Sequence, residues 1–304
     1  MTPRLQAVAL MGATGTGKSN LAMTVAAVKS CSIVCCDSMQ VYEGLDIGTA
    51  KPTRDERRQV PHYLVDCCEL PDQYSAARWA KAAREAIAEE NGQGRKPLIV
   101  GGTGLYLRAL LHGFADIPAE GPGIRARFEM LQKEHGTPYL HRLLGGCDAA
   151  MAARLKENDT QRIMRALCVF ESSGKPLSAW QEEGERNAPM IDCPVFVLEM
   201  ERGLLRKRLA ERFRKMLDAG WLDEARWLNA MGLPDTHPAM RSVGYRQLLD
   251  YLQQQMSLEE AIQQGITATR RYAKRQVTWF AHQTADAVSG DAESLMPRLL
   301  EALD

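Results

Sequence analysis

Nowhere in its 304 residues does this chain approach the roughly 20 consecutive apolar residues of a membrane span, and the apolar stretch Ala7 to Met11 is too short for a signal peptide. A cytoplasmic protein with no membrane association is the expectation. Net charge is also lacking: Lys plus Arg and Asp plus Glu both total 38, so any nucleic-acid surface has to be local rather than global. Eight cysteines include the adjacent pairs Cys35-Cys36 and Cys67-Cys68, but there is no C-x-x-C and no Cys/His cluster at zinc spacing. Reduced, packing cysteines and no zinc follow. The six histidines form neither a metal nor a triad arrangement, and there is no internal repeat or low-complexity tract. What is present is ordinary globular composition, 45% hydrophobic and 25% charged, enough for one large domain with an insertion or for two smaller domains.

Against that background one segment stands out. An apolar strand beginning at Val8 runs into Gly12-Ala13-Thr14-Gly15-Thr16-Gly17-Lys18-Ser19, the pattern G-x-x-x-x-G-K-[ST], and then into the helical run Leu21 to Val28. In that pattern the glycines let backbone N–H groups point at phosphate oxygens, Lys18 adds a point charge, and the Ser19 hydroxyl can ligate Mg²⁺ at the positive end of the helix. A bound polyphosphate or diphosphate is the chemistry it implies. The ligand usually associated with the pattern is a nucleoside triphosphate such as ATP.

Apolar, β-branched runs recur at Leu5–Met11, Ser32–Cys36, Tyr63–Val65, Leu98–Val100 and Val195–Met200, with helical patterns between several of them. Strands alternating with helices predict a mostly parallel α/β sheet with its functional residues at the carboxyl ends of the strands. Three such ends are chemically loaded: Gly12 to Ser19, Asp37-Ser38, and Gly101 to Gly104. Between Gly- and Pro-rich borders, residues 116–192 read as a helical insertion, leaving 1–115 and 193–304 as the α/β core. Within the insertion, Asn158-Asp159 caps a helix that starts near Thr160 and stops at Gly174. Past residue 200 the chain is mainly helical, with a capping box at Ser257 and Glu260 and a stripe of Leu258, Ile262, Ile266, Ala273, Val277 and Phe280.

Three groups of polar residues suggest chemistry. Asp37 stands at a strand end beside the phosphate loop, a position suited to a Mg²⁺-holding carboxylate, a general base, or a cap on the next turn. Arg202, Arg206, Lys207, Arg208, Arg212, Arg214 and Lys215 share one helix, where most should face solvent. Arg212 falls just outside the apolar stripe of that helix, a place for a guanidinium that meets either an internal anion or an acidic partner. Arg270, Arg271, Lys274 and Arg275, followed by Trp279-Phe280, form either a solvated face or a surface for RNA phosphates and bases, and Gln161, Arg162 and Arg165 form a shorter patch of the same kind.

Taken in order, Gly12 to Ser19, Asp37-Ser-Met-Gln-Val-Tyr42, Leu45-Asp-Ile-Gly-Thr-Ala-Lys-Pro52, Gly101-Gly-Thr-Gly-Leu-Tyr106, Gln161-Arg-Ile-Met-Arg165, Arg241-Ser-Val-Gly-Tyr-Arg246 and Lys274-Arg-Gln-Val-Thr-Trp279 closely resemble the signatures of the bacterial tRNA dimethylallyltransferases. The match runs from the first strand to about residue 282. The resemblance implies a P-loop-type α/β core with a helical insertion. It also implies transfer of a dimethylallyl group from dimethylallyl diphosphate to N6 of the adenosine immediately 3′ of the anticodon, in tRNAs reading codons that begin with U.

Under it, Gly12 to Ser19 grips the donor's diphosphate rather than ATP, with Mg²⁺ held partly through Ser19. Asp37 is the base, Arg212 binds diphosphate, and Lys18 and Thr103 complete the catalytic set. Contacts to the tRNA anticodon stem-loop come from Asp37, Ser38, Met39, Gln40, Thr103 and Arg125, and from Gln161, Arg162, Ile163, Met164 and Arg165. They continue through Arg241, Ser242, Val243, Gly244, Tyr245 and Arg246, and through Lys274, Arg275, Gln276, Val277, Thr278, Trp279, Phe280 and Ala281. A monomer is expected. Departures are confined to Glu43 and Leu45, where Lys and Met are common, and to Cys67-Cys68-Glu69-Leu70 in place of a more polar turn. The rival readings are a P-loop small-molecule kinase, an adenylate prenyltransferase acting on free nucleotide, and a tRNA-binding protein with a vestigial loop.

Overall fold

A computed structural model describes residues 4–115, 117, 120–186 and 190–304. The strands are β1 (Leu5–Gln6), β2 (Val8–Gly12), β3 (Ile33–Cys36), β4 (His62–Tyr63), β5 (Leu98–Gly101), β6 (Ile191–Asp192), β7 (Val195–Leu198) and β8 (Val288–Gly290). The helices up to the end of the insertion are α1 (Lys18–Lys29), α2 (Arg54–Gln59), α3 (Ala76–Gly92), α4 (Gly104–His112), α5 (Ile124–His135), α6 (Thr137–Cys147), α7 (Ala149–Arg154), α8 (Thr160–Ser173) and α9 (Leu177–Arg186). Those that follow are α10 (Arg202–Asp218), α11 (Trp221–Ala230), α12 (Pro238–Arg241), α13 (Tyr245–Leu252), α14 (Leu258–Gln283) and α15 (Ala292–Ala302).

Six strands form one wholly parallel sheet in the order β4-β3-β5-β2-β7-β8. All five residues of β2 are buried, as a central parallel strand covered on both faces requires. Alternation sends Val8 and Leu10 to one face, where they meet Leu21 and Val25 of α1 and Leu295 and Leu299 of α15. Ala9 and Met11 point to the other, among Trp79, Ile99, Val197 and Phe280. Because every strand is parallel, the carboxyl ends of β2, β3, β5 and β7 emerge along a single edge.

Three expectations need correction. The strand read at Tyr63–Val65 ends at Tyr63, because Leu64 and Asp66 take left-handed backbone angles, φ 61° and 51°. Ile191 and Asp192, assigned above to the insertion, pair with Leu5 and Gln6 as β6 against β1. The single strand read at Leu5–Met11 is two, since Leu5 and Gln6 pair with β6 while Val8 to Gly12 join the large sheet.

Two compact units result, Met1–Leu111 with Met190–Asp304, and His112–Pro189. The start expected at 116 lies outside the described residues. The second unit is helical and has its own core, including Phe128, Leu140, Leu144, Ile163 and Leu167. Its helix α8 begins after Asp159, whose side chain accepts from the Arg162 N–H, and stops at Gly174. Buried Asp148 caps α7 through the Met151 N–H at 3.0 Å and accepts both the N–H and the hydroxyl of Ser178, at 2.9 and 2.6 Å. All eight cysteines are free. No described helix is long and apolar enough to cross a membrane.

Candidate active site

At the end of β2 the chain turns through Gly15 (φ 84°) and Gly17 (φ 100°) into α1. At Gly17 a side chain is excluded by the positive φ that starts the helix, and the Arg208 guanidinium lies 3.5 Å from where a Cβ would stand. The Thr16 hydroxyl donates to the Ala13 carbonyl at 2.9 Å, and the Lys18 Nζ donates to the same oxygen at 2.8 Å, drawing the ammonium across the loop. Burial pushes the Lys18 ammonium down to about 8, with the Asp37 carboxylate acting in the opposite sense and Arg212 in the same one.

Gln276 of α14 braces this loop. Its Oε1 accepts the Thr14 N–H at 2.9 Å, and its Nε2 donates to the Gly102 carbonyl at 2.8 Å, tying the loop to the end of β5. The ends of β3 and β5 are joined through Thr103, whose Oγ1 accepts the Ser38 N–H at 3.0 Å and whose N–H donates to the Cys36 carbonyl at 3.1 Å. Asp37 Oδ1 accepts the Met39 N–H at 2.8 Å, which fixes the carboxyl while leaving acceptor capacity on it.

Two cavities meet here. One, of about 360 Å³, is lined by Thr14 to Ser19 of the loop apart from Thr16, and by Asp37, Lys51, Arg208 and Arg212. The other, of about 290 Å³, is lined by Met39, Leu209, Phe213, Met216, Trp221, Val243 and Tyr245, with Arg241 and Arg275 among its polar residues. Thr14, Asp37, Thr49, Arg212 and Tyr272 line both. Burial lowers the Arg212 guanidinium, with Asp37 favouring its charge and Arg208 opposing it; such a group nonetheless stays protonated. Burial and then the Asp37 charge raise the Tyr272 phenol, which therefore stays a neutral hydroxyl.

Loop 37–52, which walls both cavities, is anchored by a buried ammonium and a half-buried carboxylate. The Lys51 ammonium donates to the Tyr42 carbonyl and to Asp46 and Asp66, at 2.7, 2.7 and 2.5 Å. The Glu224 carboxylate accepts the N–H groups of Asp46, Ile47 and Gly48, at 2.8, 2.7 and 2.9 Å, and the Tyr245 hydroxyl. Gln40 donates from Nε2 to the Thr49 and Ala50 carbonyls at 3.0 and 3.1 Å.

Several residues expected at an RNA surface are part of the framework. Gln276, Tyr245, Gly244 and Phe280 are buried, and the Gln40 amide is spent on its own loop. In the second unit, Ile163 and Met164 lie in the core while Gln161 and Arg162 are exposed, because a motif that runs with an amphipathic helix is split between its two faces. Arg125 and Arg165 both hydrogen-bond Glu120, Arg125 at 3.0 and 3.1 Å and Arg165 at 2.7 Å. Burial alone would raise the Glu120 carboxyl, but these two guanidiniums hold it below the usual carboxylate range. Arg241, Arg246, Lys274, Arg275, Thr278 and Ala281 are exposed, as expected of contacts. Val277, read as part of the apolar stripe, is 52% exposed. Arg208, read only as one of a mostly solvent-facing run, and Tyr272, which carried no expectation, also line the polar cavity; their signals were the i,i+4 spacing of Arg208 and Arg212 and the position of Tyr272 one turn before Gln276.

A central parallel strand that turns through a glycine-rich loop, with a carboxylate at the end of β3, one strand removed across β5, and arginines closing over both, defines an α/β protein of the phosphate-loop class. A family model described as IPP transferase matches residues 40–283. A tRNA dimethylallyltransferase of Halorhodospira halophila is 44% identical over 277 residues, 90% of this chain and 89% of that one. Another from Thiobacillus denitrificans is 42% identical over 301 residues, covering 97% and 96%. Among solved structures, the full-length tRNA isopentenylpyrophosphate transferase of Bacillus halodurans superposes with a TM-score of 0.70 at 33% identity, over 98% of this chain and 95% of that one. A eukaryotic dimethylallyltransferase acting on tRNA gives 0.77 at 26% identity, over 95% and 74%. The chain belongs to the IPP transferase family, the tRNA dimethylallyltransferases.

Proposed function

We propose that this chain, a cytoplasmic monomer, transfers the dimethylallyl group of dimethylallyl diphosphate to N6 of the adenosine immediately 3′ of the anticodon, in tRNAs reading codons that begin with U. The observation that carries this reading is the pair of cavities meeting at Asp37 and Arg212. The polar cavity suits a diphosphate, and the apolar, aromatic cavity suits a base flipped out of the anticodon loop. The five-carbon chain then lies at their junction, with nucleophile and leaving group on opposite sides of the reacting carbon.

An adenine amine is a weak nucleophile because its lone pair is delocalised into the ring. As N6 attacks C1 of the donor and the C–O bond breaks, Asp37 takes the N6 proton, so positive charge does not accumulate on the base. The departing diphosphate gains negative charge that Lys18, Arg212, Arg208 and the loop N–H groups neutralise. The Ser19 hydroxyl is a hard oxygen donor at the start of α1 facing the same cavity, and it fits Mg²⁺. That ion, when bound, supplies positive charge to the phosphate oxygens. Among the described residues no cluster of three His, Cys, Asp or Glu competes as a metal site. Thr103 positions the Asp37 strand end through Ser38. The exposed members of the Gln161 to Arg165, Arg241 to Arg246 and Lys274 to Ala281 motifs contact the tRNA.

The test is incubation with labelled dimethylallyl diphosphate, Mg²⁺, unmodified tRNA transcript and AMP together. Label in the RNA supports the reading; label in AMP alone points to an adenylate prenyltransferase and overturns it.

A further inference from the structure

Helices α10 and α14 run antiparallel. Phe213 packs on Gly265, where an added Cβ would stand 2.4 Å from the ring, while further along the Arg270 guanidinium reaches the Arg206 carbonyl at 3.5 Å. Beyond that point the helices leave a groove of about 500 Å³, floored by Leu205, Leu209 and Ala273. Its walls carry Arg202 and Arg206 from α10 and Arg270, Arg271 and Lys274 from α14, and no carboxylate lines it. All five cations are exposed, and none has an ion-pair partner among the described residues. Exposed Val277 lies at its rim, opposite the first turn of α10.

Five like charges facing one another without counter-charge repel, and the compact state is stabilised when an anion enters. A single small anion would need one cradle of N–H groups. Here the cations instead form two rows, each with a rise of about 6 Å between partners four residues apart, which matches a chain of charges. We propose that this groove binds the ribose-phosphate backbone of the tRNA outside the flipped base, with Arg202 and Arg206 of α10 as phosphate contacts that none of the tRNA-binding motifs includes. The inference rests on the tRNA reading above and extends its surface onto a second helix.

The test compares the wild-type chain, Arg202→Gln with Arg206→Gln, and Arg202→Lys with Arg206→Lys in binding an unmodified tRNA transcript across a salt series. Each phosphate contact adds about 0.7 to 0.9 to the slope of log affinity against log salt. The double Gln variant should lose between about one and two units of that slope, and the double Lys variant should keep it. Single-turnover transfer at saturating tRNA should stay within about two-fold of wild type, since neither residue lines the reacting cavities. Val277→Glu, a change at an exposed site, should weaken tRNA binding without altering thermal unfolding. An unchanged slope in the Gln variant, or weakened binding of dimethylallyl diphosphate in the absence of RNA, overturns the proposal. Failure of the wild-type chain to bind tRNA at all would instead strike the function proposed above.

Discussion

Lys18 carries a charge that is conditional near neutral pH. Burial places its folded value at about 8 against an ordinary 10.5, so between those values the unfolded chain binds more protons and this group's contribution to stability rises with pH. Donor binding runs the other way, because diphosphate favours the ammonium. Affinity for dimethylallyl diphosphate should therefore decline above about pH 8, by up to ten-fold per unit, and Lys18→Met should weaken binding and flatten that decline; titration calorimetry from pH 7 to 9.5 reads both. Asp37→Ala should lower turnover by about 10² to 10⁴ while tRNA affinity changes by only a few-fold, and a comparable loss in both would assign Asp37 to positioning. Lys18 and Asp37 were legible because loop spacing and strand ends announce themselves in one dimension, and Arg212 because it borders the apolar stripe of its helix. Arg208 and Tyr272 were not, since their relevance depends on which face of α10 and α14 meets the loop.

Helix α14 combines two tasks that its sequence presents as one. The capping box at Ser257 and Glu260 starts it as the pattern predicted, and its exposed basic residues lie where RNA contacts were expected. Gln276, inside the same Lys-Arg-Gln motif, faces inward and braces the phosphate loop. Gln276→Ala leaves the Thr14 N–H and Gly102 carbonyl without their partner, a cost of about 1–3 kcal/mol. Thermal unfolding should shift down accordingly, and donor affinity should fall along with it; an unchanged midpoint with weakened tRNA binding would return Gln276 to the RNA surface. Short elements escaped the sequence for a related reason. β8 is three residues, Val288–Gly290, and becomes a strand by pairing with β7, a tertiary event that local pattern does not encode.

Across the whole molecule, the parallel sheet does most of the positioning. With β3 and β2 separated by β5, the ends carrying Asp37, the phosphate loop and Gly101 to Thr103 stand side by side, a juxtaposition the α/β alternation predicted in kind but not in strand order. The helical character of the second unit was legible from its Gly/Pro borders and the Asp159 cap, whereas the pairing of Ile191 with Leu5 was not, because a two-residue strand has no periodicity to read.

The central claim is that the exocyclic amine of one tRNA adenosine receives the dimethylallyl group. Two tRNA transcripts that differ only at the position 3′ of the anticodon, adenosine in one and a purine lacking the N6 amine in the other, test it most directly. With labelled dimethylallyl diphosphate and Mg²⁺, label should enter the adenosine transcript alone; equal labelling of both would contradict the account.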